Sequence, residues 1–408
     1  MDRITKNFMW MSAANIVASL MNAAAFIYLA RVLEAKAFGY LSYASTFAFY
    51  FMNFIDFGLS TYGMREIARN RSRAAELISE ILSFKFIVAC CLFAMSVIIA
   101  ALLGHHSPIL RLLIVESCLL LFTAALSTDW AFQGFEKMHM VFLSLATTAT
   151  VQLTLVYFLV KSPHDLPKVP VLYFLAAIPI LAVLLRKLHF RFMIRTLEIK
   201  NVLGHLSGSI VIWLISICAQ TYNNLDIVIL GIYRKAEEVG YFTVSRRTVG
   251  AIGGLLIFLA NAILPHLSRT FRSDEDQFHL ATRKFAKLAI CVTLFVFIPL
   301  IVFSEKLILI TVGPSYLPAR LSLDIMVVGM MFVFFNMPYS TGLIAGGFEK
   351  SVLKQAAAAA ILSVSLNFIL VPKYGMIGTS VTFLVVEAFS FGWILWTYQR
   401  KIGLRVAL

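Results

Sequence analysis

Residues 134–160 read GFEKMHMVFLSLATTATVQLTLVYFLV. A polar corner, Gly134-Phe135-Glu136-Lys137, leads after three residues into a run from Val141 to Val160 with no charged side chain. At a rise of about 1.5 Å per residue, about 20 helical residues cover ~30 Å of hydrocarbon. The run does not alternate apolar with polar residues, so it reads as a membrane-crossing helix and not as a barrel strand. The same tetrapeptide returns as Gly347-Phe348-Glu349-Lys350, again before an apolar run, AAAAAILSVSLNFILV.

Working outward, a second echo pairs EAKAFGYLSYAS from Glu34 with KAEEVGYFTVS from Lys235, matching Gly39 and Tyr40 to Gly240 and Tyr241. Two echoes in the same order make the chain a duplication, with an N-terminal half at 1–200, including a basic linker, and a C-terminal half at 201–408. The chain is 60% hydrophobic and 14% charged, with a mean hydropathy of +0.86, well outside the composition of an ordinary soluble domain. Twelve apolar runs are long enough to span: 8–30, 38–60, 81–103, 110–131, 140–160, 170–189, 206–231, 240–265, 285–303, 321–342, 352–371 and 376–398. An even number of spans in each half gives both halves the same orientation. The fold expected is therefore an all-α membrane protein of twelve transmembrane helices, in two parallel six-helix bundles related by a pseudo-twofold axis along the membrane normal. The first run is too long for a signal-peptide core and is read as a retained span.

The links on the side of the N-terminus hold the larger share of the 35 Lys and Arg residues, which places both termini in the cytoplasm. That asymmetry also explains the net charge of +14; no stretch is long enough to form a basic soluble domain for nucleic acid. Cys90, Cys91, Cys118, Cys218 and Cys291 all fall inside apolar runs and read as small packing residues. His105 and His106 read as solvated loop residues. The middle link, LHFRFMIRTLEIKNVLGHL, is either a basic amphipathic helix at the inner surface or a solvated linker. No outer link can house a catalytic domain, and no nucleotide-binding glycine loop, HExxH or nucleophile elbow occurs. A transporter, and not an enzyme, is expected, with no cofactor and no metal.

Ionisable residues inside the runs are the informative ones, because each charge at mid-membrane costs about 2.5–3.5 kcal/mol and needs a partner or a wet cavity. In the seventh run Ser216, Gln220, Asn223, Asn224 and Asp226 share roughly half of the helical wheel. In the eighth, Arg246 and Arg247 lie about as far from the intervening link as Asp226 does, so a pairing is feasible. Either the pair is a plain interhelical salt bridge, or the second arginine offers its fork to a phosphate. Gly250, Gly253 and Gly254 follow on the same helix and permit close packing. Lys85, near the inner end of the third run, reads as snorkelling to the interface. Glu116 and Glu387 lie deeper and read either as cavity-facing, proton-linked groups or as buried hydrogen-bonding groups. Asp56 and the Arg65–Arg73 stretch read as the inner anchor of the second run.

YLARVLEAKAFGYLSYAS, FGLSTYGMREIAR, FQGFEKM, NNLDIVILG and VGYFTVSRR together resemble the Wzx-type polysaccharide biosynthesis flippases of the multidrug/oligosaccharidyl-lipid/polysaccharide exporter superfamily, over nearly the whole chain. Relatives carry ARVLG where this chain has Glu34 in place of the glycine, a departure read as incidental. The resemblance implies a flippase moving undecaprenyl-diphosphate-linked sugar repeats of O-antigen, common antigen, capsule or exopolysaccharide from the cytoplasmic to the periplasmic leaflet of a bacterial inner membrane. It implies the lipid-linked oligosaccharide and the bilayer as partners, with a polysaccharide polymerase and a chain-length regulator in the same pathway. On that reading Arg246 or Arg247, with Lys85, meets the diphosphate. Asn223 and Asn224 meet sugar hydroxyls, and Asp226, Glu116 and Glu387 tune charge or couple to a cation. The alternatives are a cation-coupled multidrug antiporter of the same superfamily and a membrane polymerase or ligase; the former favours an anionic cleft, and the latter needs a sizeable outer loop.

Overall fold

The computed structural model describes the backbone of residues 3–102, 107–188 and 199–403. His105, His106 and the centre of the middle link lie outside the described residues, as do the side chains of Ser216, Cys218, Gln220 and Asn223. In chain order the helices are α1 (Arg3–Asp56), α2 (Leu59–Arg69), α3 (Ala74–Leu102), α4 (Pro108–Ser117), α5 (Leu120–Ala125), α6 (Asp129–Gly134), α7 (Met138–Leu159), α8 (Lys168–Lys187), α9 (Ile199–Tyr233), α10 (Ala236–Ser273), α11 (Glu275–Val292), α12 (Ile298–Val302), α13 (Ser304–Thr311), α14 (Arg320–Ala345) and α15 (Glu349–Lys401). No strand occurs among the described residues. Helices satisfy their own backbone hydrogen bonds, which lipid cannot do for them.

Eight helical stretches among the described residues are long and apolar enough to cross a membrane. Their outer faces carry Phe295, Ile361 and Leu353, all more than half exposed, side chains that belong against acyl chains and not water. The protein is a multi-pass membrane protein. Two of the eight stretches, Thr5–Arg69 and Glu349–Lys401, run to 65 and 53 residues, far beyond one crossing. A residue with positive φ interrupts the long helix in each: Glu34 at φ 59°, ψ 174° in α1, and Gly375 at φ 56°, ψ −135° in α15.

Glu34 corrects the sequence reading. Its dihedrals fall in a region that is essentially glycine-only, with a cost of about 1–3 kcal/mol for other residues. Position 34 is therefore the one that turns the chain between the first two expected spans, and its departure from the resembled motif is not incidental. At Gly375 a Cβ would lie 2.0 Å from Glu238 Oε2. The backbone groups released at that break are taken up by side chains from the α9–α10 turn. Arg234 donates to the carbonyls of Val371 (3.2 Å) and Pro372 (2.9 Å), and Glu238 accepts from the Met376 N–H at 3.1 Å.

The repeated GFEK also reads differently in three dimensions. After α6 the N–H of Glu136 bonds the Gln133 carbonyl at 2.9 Å and that of Lys137 the Phe132 carbonyl at 2.8 Å. After α14 the N–H of Gly347 bonds Ile344 at 3.0 Å and that of Phe348 bonds Leu343 at 2.9 Å. Both are Schellman closures around a left-handed residue, Glu136 at φ 59° and Gly347 at φ 81°. Glu136 is thus the counterpart of Gly347, whereas the letters pair Gly134 with Gly347. The corners match as structures while the tetrapeptides are out of register.

The chain divides into two compact units, Met1–Gln220 and Thr221–Leu408. In the first, α1 packs along α7, and α7 along α8. One core cluster joins Leu59, Ile67, Ile78, Ile81, Leu82 and Trp130, and another joins Ala48, Phe51, Ile55, Ala89, Cys118 and Leu121. In the second, α14 packs along α10 and α15 around Leu267, Phe278, Leu343, Ile394 and Tyr398. A π-helical turn, Thr293–Phe297, precedes Pro299. The proline ring crowds the carbonyl four residues back, and the wider turn relieves that clash.

Candidate functional site

The second unit holds a small polar cavity inside a helical bundle. It is lined by Asp226 of α9, Arg246 of α10, and Ser363, Asn367, Thr379, Phe383 and Val386 of α15. Asp226 is 8% exposed; one carboxylate oxygen accepts the Ile227 N–H at 2.8 Å and the other lies 3.9 Å from Arg246 Nε. That separation is an ion pair without a short hydrogen bond. The guanidinium sits 5.1 Å from the centroid of the Phe383 ring, a cation–π distance. Asn367 donates to the Ser363 carbonyl at 3.0 Å, while its Oδ1 is buried with no hydrogen-bond partner. An unpartnered amide oxygen beside a carboxylate marks a place built to receive a donor or a cation.

Arg246 and Asp226 thus meet as their equal distance from the α9–α10 turn predicts. Arg247 is one residue on and therefore about 100° around the helix; it is exposed and does not line this cavity. Asn224 is half-buried, and the Asn223 side chain lies outside the described residues. Glu387, 6% exposed, follows the cavity-lining Val386. A Cβ on Gly250 or Gly254 would meet nothing, whereas Gly253 alone of the three packs against a neighbour, the terminal methyl of Met330.

The first unit carries a second buried charge centre. Lys85 of α3 is 1% exposed. Its ammonium donates to Asp56 at 2.6 Å and to the Ser60 hydroxyl at 2.8 Å, and lies 5.8 Å from the Trp130 ring. Ser60 in turn donates to Asp56. The snorkelling reading is therefore overturned: Lys85 points inward, because the break at Phe57 and Gly58 between α1 and α2 brings Asp56 and Ser60 to one ammonium. A Cβ on Gly63 would stand 2.3 Å from Trp130, so that glycine lets α2 close over the same ring. Glu116 is half-buried, with Oε2 unpartnered, and is not part of this cluster.

Sequence reasoning missed Ser363, Asn367, Thr379 and Phe383, although polar residues recurring within apolar runs are the signal that marked Asp226. It also missed the Asp56–Lys85 pairing, whose partners are on different helices with no shared spacing. Among the described residues no group of three or more His, Cys, Asp or Glu side chains is placed to hold a metal ion.

Long apolar helices with ion pairs buried in each unit define a class: an all-helical, multi-pass membrane protein with the fold of solved membrane transporters. That likeness extends to the lipid II flippase MurJ in an inward closed conformation (TM-score 0.78, 14% identity, 97% of this chain and 90% of that one). It extends also to an inward-facing multidrug resistance MATE family transporter of the MOP superfamily (TM-score 0.70, 16% identity, 97% and 98%). The sequence profile of the polysaccharide biosynthesis protein family matches residues 4–271, and the chain belongs to that family. A protein described as an O-antigen transporter in Shigella dysenteriae is 24% identical over 88% of this chain and 91% of its own length. The capsular polysaccharide biosynthesis protein CapF of Staphylococcus aureus is 20% identical over 97% and 100%.

Proposed function

We propose that this protein is a flippase that carries undecaprenyl-diphosphate-linked sugar repeat units from the cytoplasmic to the periplasmic leaflet of a bacterial inner membrane, by alternating access. The observation that carries the reading is the Asp226–Arg246 cavity: a guanidinium held inside an apolar bundle by a carboxylate and an aromatic face. Such a group suits a diphosphate, whose passage through hydrocarbon would otherwise leave charges and hydroxyls without partners. Family membership and the O-antigen and capsule relatives point to the same substrate class.

In this reading the two interrupted stretches each cross twice, and α9 and α10, with 35 and 38 residues, cross once each, which brings eight stretches to twelve spans with both termini cytoplasmic. Arg246, which lines the cavity, meets the diphosphate, and Asn223 and Asn224 meet sugar hydroxyls. Lys85 acts through Asp56, since its ammonium is already engaged. Asp226, Glu387 and Glu116 set the charge of the interior. The MATE-like fold keeps a multidrug antiporter as a second reading, but a guanidinium in the cavity disfavours organic cations there. The test is a deletion strain assayed for the leaflet that holds its lipid-linked sugars. Accumulation on the inner leaflet supports flipping, whereas unchanged sidedness with blocked chain growth indicates a polymerase.

A further inference from the structure

The first half of α9 is fastened within the first unit by a buried acid–imidazole pair that the substrate reading does not use. His205 Nε2 lies 3.0 Å from Glu80 Oε2 of α3, and Nδ1 lies 3.3 Å from the Tyr62 hydroxyl of α2. Glu80 is 8% exposed. Leu59, Ile81, Phe84 and Leu206 wall a small cavity beside the pair. Farther along the helix, a Cβ on Gly208 would stand 2.7 Å from the Tyr62 ring, so the α9 backbone packs directly on that ring. Trp213 then stacks on Phe57 (4.4 Å, 18°) and donates its indole N–H to the Asn53 carbonyl at 3.0 Å. His205, Gly208 and Trp213 thus form one seam. The helix that they secure continues unbroken to Tyr233 and carries Asp226.

We infer that Glu80 and His205 form a proton-binding site whose occupancy sets how firmly α9 is held to α2 and α3. Neutral, the ring keeps both contacts in one tautomer, with Nε2–H donating to Glu80 and Nδ1 accepting from the Tyr62 hydroxyl. Adding a proton at Nδ1 turns the Tyr62 contact around and makes the Glu80 contact, already assisted by the carboxylate's charge, a hydrogen-bonded pair of opposite charges, in apolar surroundings where such a bond is strong. The fastening therefore tightens when the ring takes up a proton, on the acid side. Among the described residues, the Tyr62 hydroxyl of α2 and Glu80 of α3 meet the ring directly, and Arg65, Glu66 and Arg69 of α2 act electrostatically on Tyr62. The charges on α2 are of both signs, so they do not favour one charge state of the ring.

The inference does not depend on what the protein transports, and its test does not measure transport. Amide hydrogen exchange over 205–213 is followed in the full-length protein in nanodiscs at pH 5.5 and 7.5, corrected for intrinsic exchange, with α14 as internal reference. The expected result is protection several-fold greater at pH 5.5, as a pair of opposite charges replaces a bond in which only the acceptor is charged. His205→Gln keeps a donor for Glu80 but cannot titrate and abolishes that difference; Glu80→Gln abolishes it from the other side. Wild-type protection independent of pH, or a pH difference that survives in either variant, overturns the inference. Circular dichroism confirms that each variant compared is folded, and either variant alone suffices.

Discussion

Replacing Asp56 with asparagine tests the buried charge centre of the first unit most sharply. Lys85 is 1% exposed, and its ammonium has the Asp56 carboxylate at 2.6 Å, the Ser60 hydroxyl at 2.8 Å and the Trp130 ring at 5.8 Å. Asp56→Asn keeps the shape and removes the carboxylate that pairs with that ammonium. Stranding a buried charge costs about 3–5 kcal/mol. The Asp56 side chain is 39% exposed, so water replaces part of what is lost, and about 2–3 kcal/mol is the fitting figure. In a unit of this size that lowers the unfolding midpoint by roughly 4–12 °C. The assay is tryptophan fluorescence during thermal unfolding of purified protein, at one fixed heating rate. The Asp56→Asn, Lys85→Met double variant removes both charges and recovers most of the loss, as neutral replacements of buried pairs do. The reasoning fails if Asp56→Asn unfolds with the wild type, or if the double variant is no more stable than Asp56→Asn.

Glu34→Gly relieves the left-handed break in α1 and, after glycine's entropic cost of about 0.5–1 kcal/mol, raises stability by about 0.5–2 kcal/mol. Gly375→Ala, which drives a Cβ into Glu238, lowers it; both effects are read from the same unfolding curves. Arg246→Gln with Arg247→Gln reduces flipping by on the order of tenfold or more, the worth of one charge-assisted phosphate contact, while circular dichroism stays unchanged. Lys168 and the Lys161 N–H hold the Asp165 carboxyl well below the usual carboxylate range. A depressed carboxylate contributes stability above its unfolded pKa of ~3.9 and loses it only as pH falls through the folded value. Proteolytic nicking of the link between α7 and α8 is therefore constant from pH 8 to 5 and rises only in stronger acid, a rise that Asp165→Asn abolishes.

The membrane class and all-helical fold were legible because a run such as Val141–Val160 can satisfy its backbone in lipid in one way. The Asp226–Arg246 pair was legible because both residues stand at matching distances from one short turn. Asp56 and Lys85 were not, since their meeting depends on the break at Phe57 and Gly58, which no period announces. His205 was read as part of a link, and nothing in its neighbours shows that Glu80 and Tyr62 close on it from two other helices. The importance of position 34 was visible as a missing glycine, but its meaning is a pair of dihedral angles. The repeated GFEK shows the converse hazard: the letters led to two equivalent corners, yet Glu136 and Gly347, not Gly134 and Gly347, occupy the same place in them.

The central claim is transbilayer movement of a lipid-linked sugar, and reconstitution measures it directly. Purified protein in liposomes loaded with undecaprenyl-diphosphate-linked oligosaccharide is challenged from outside with a membrane-impermeant glycosidase. With the protein present, the digestible fraction should rise from about half, the outer-leaflet share, towards all, and the Arg246→Gln, Arg247→Gln variant should remain near half. A wild-type fraction that stays at half across ion gradients and membrane potentials of either sign would contradict the account.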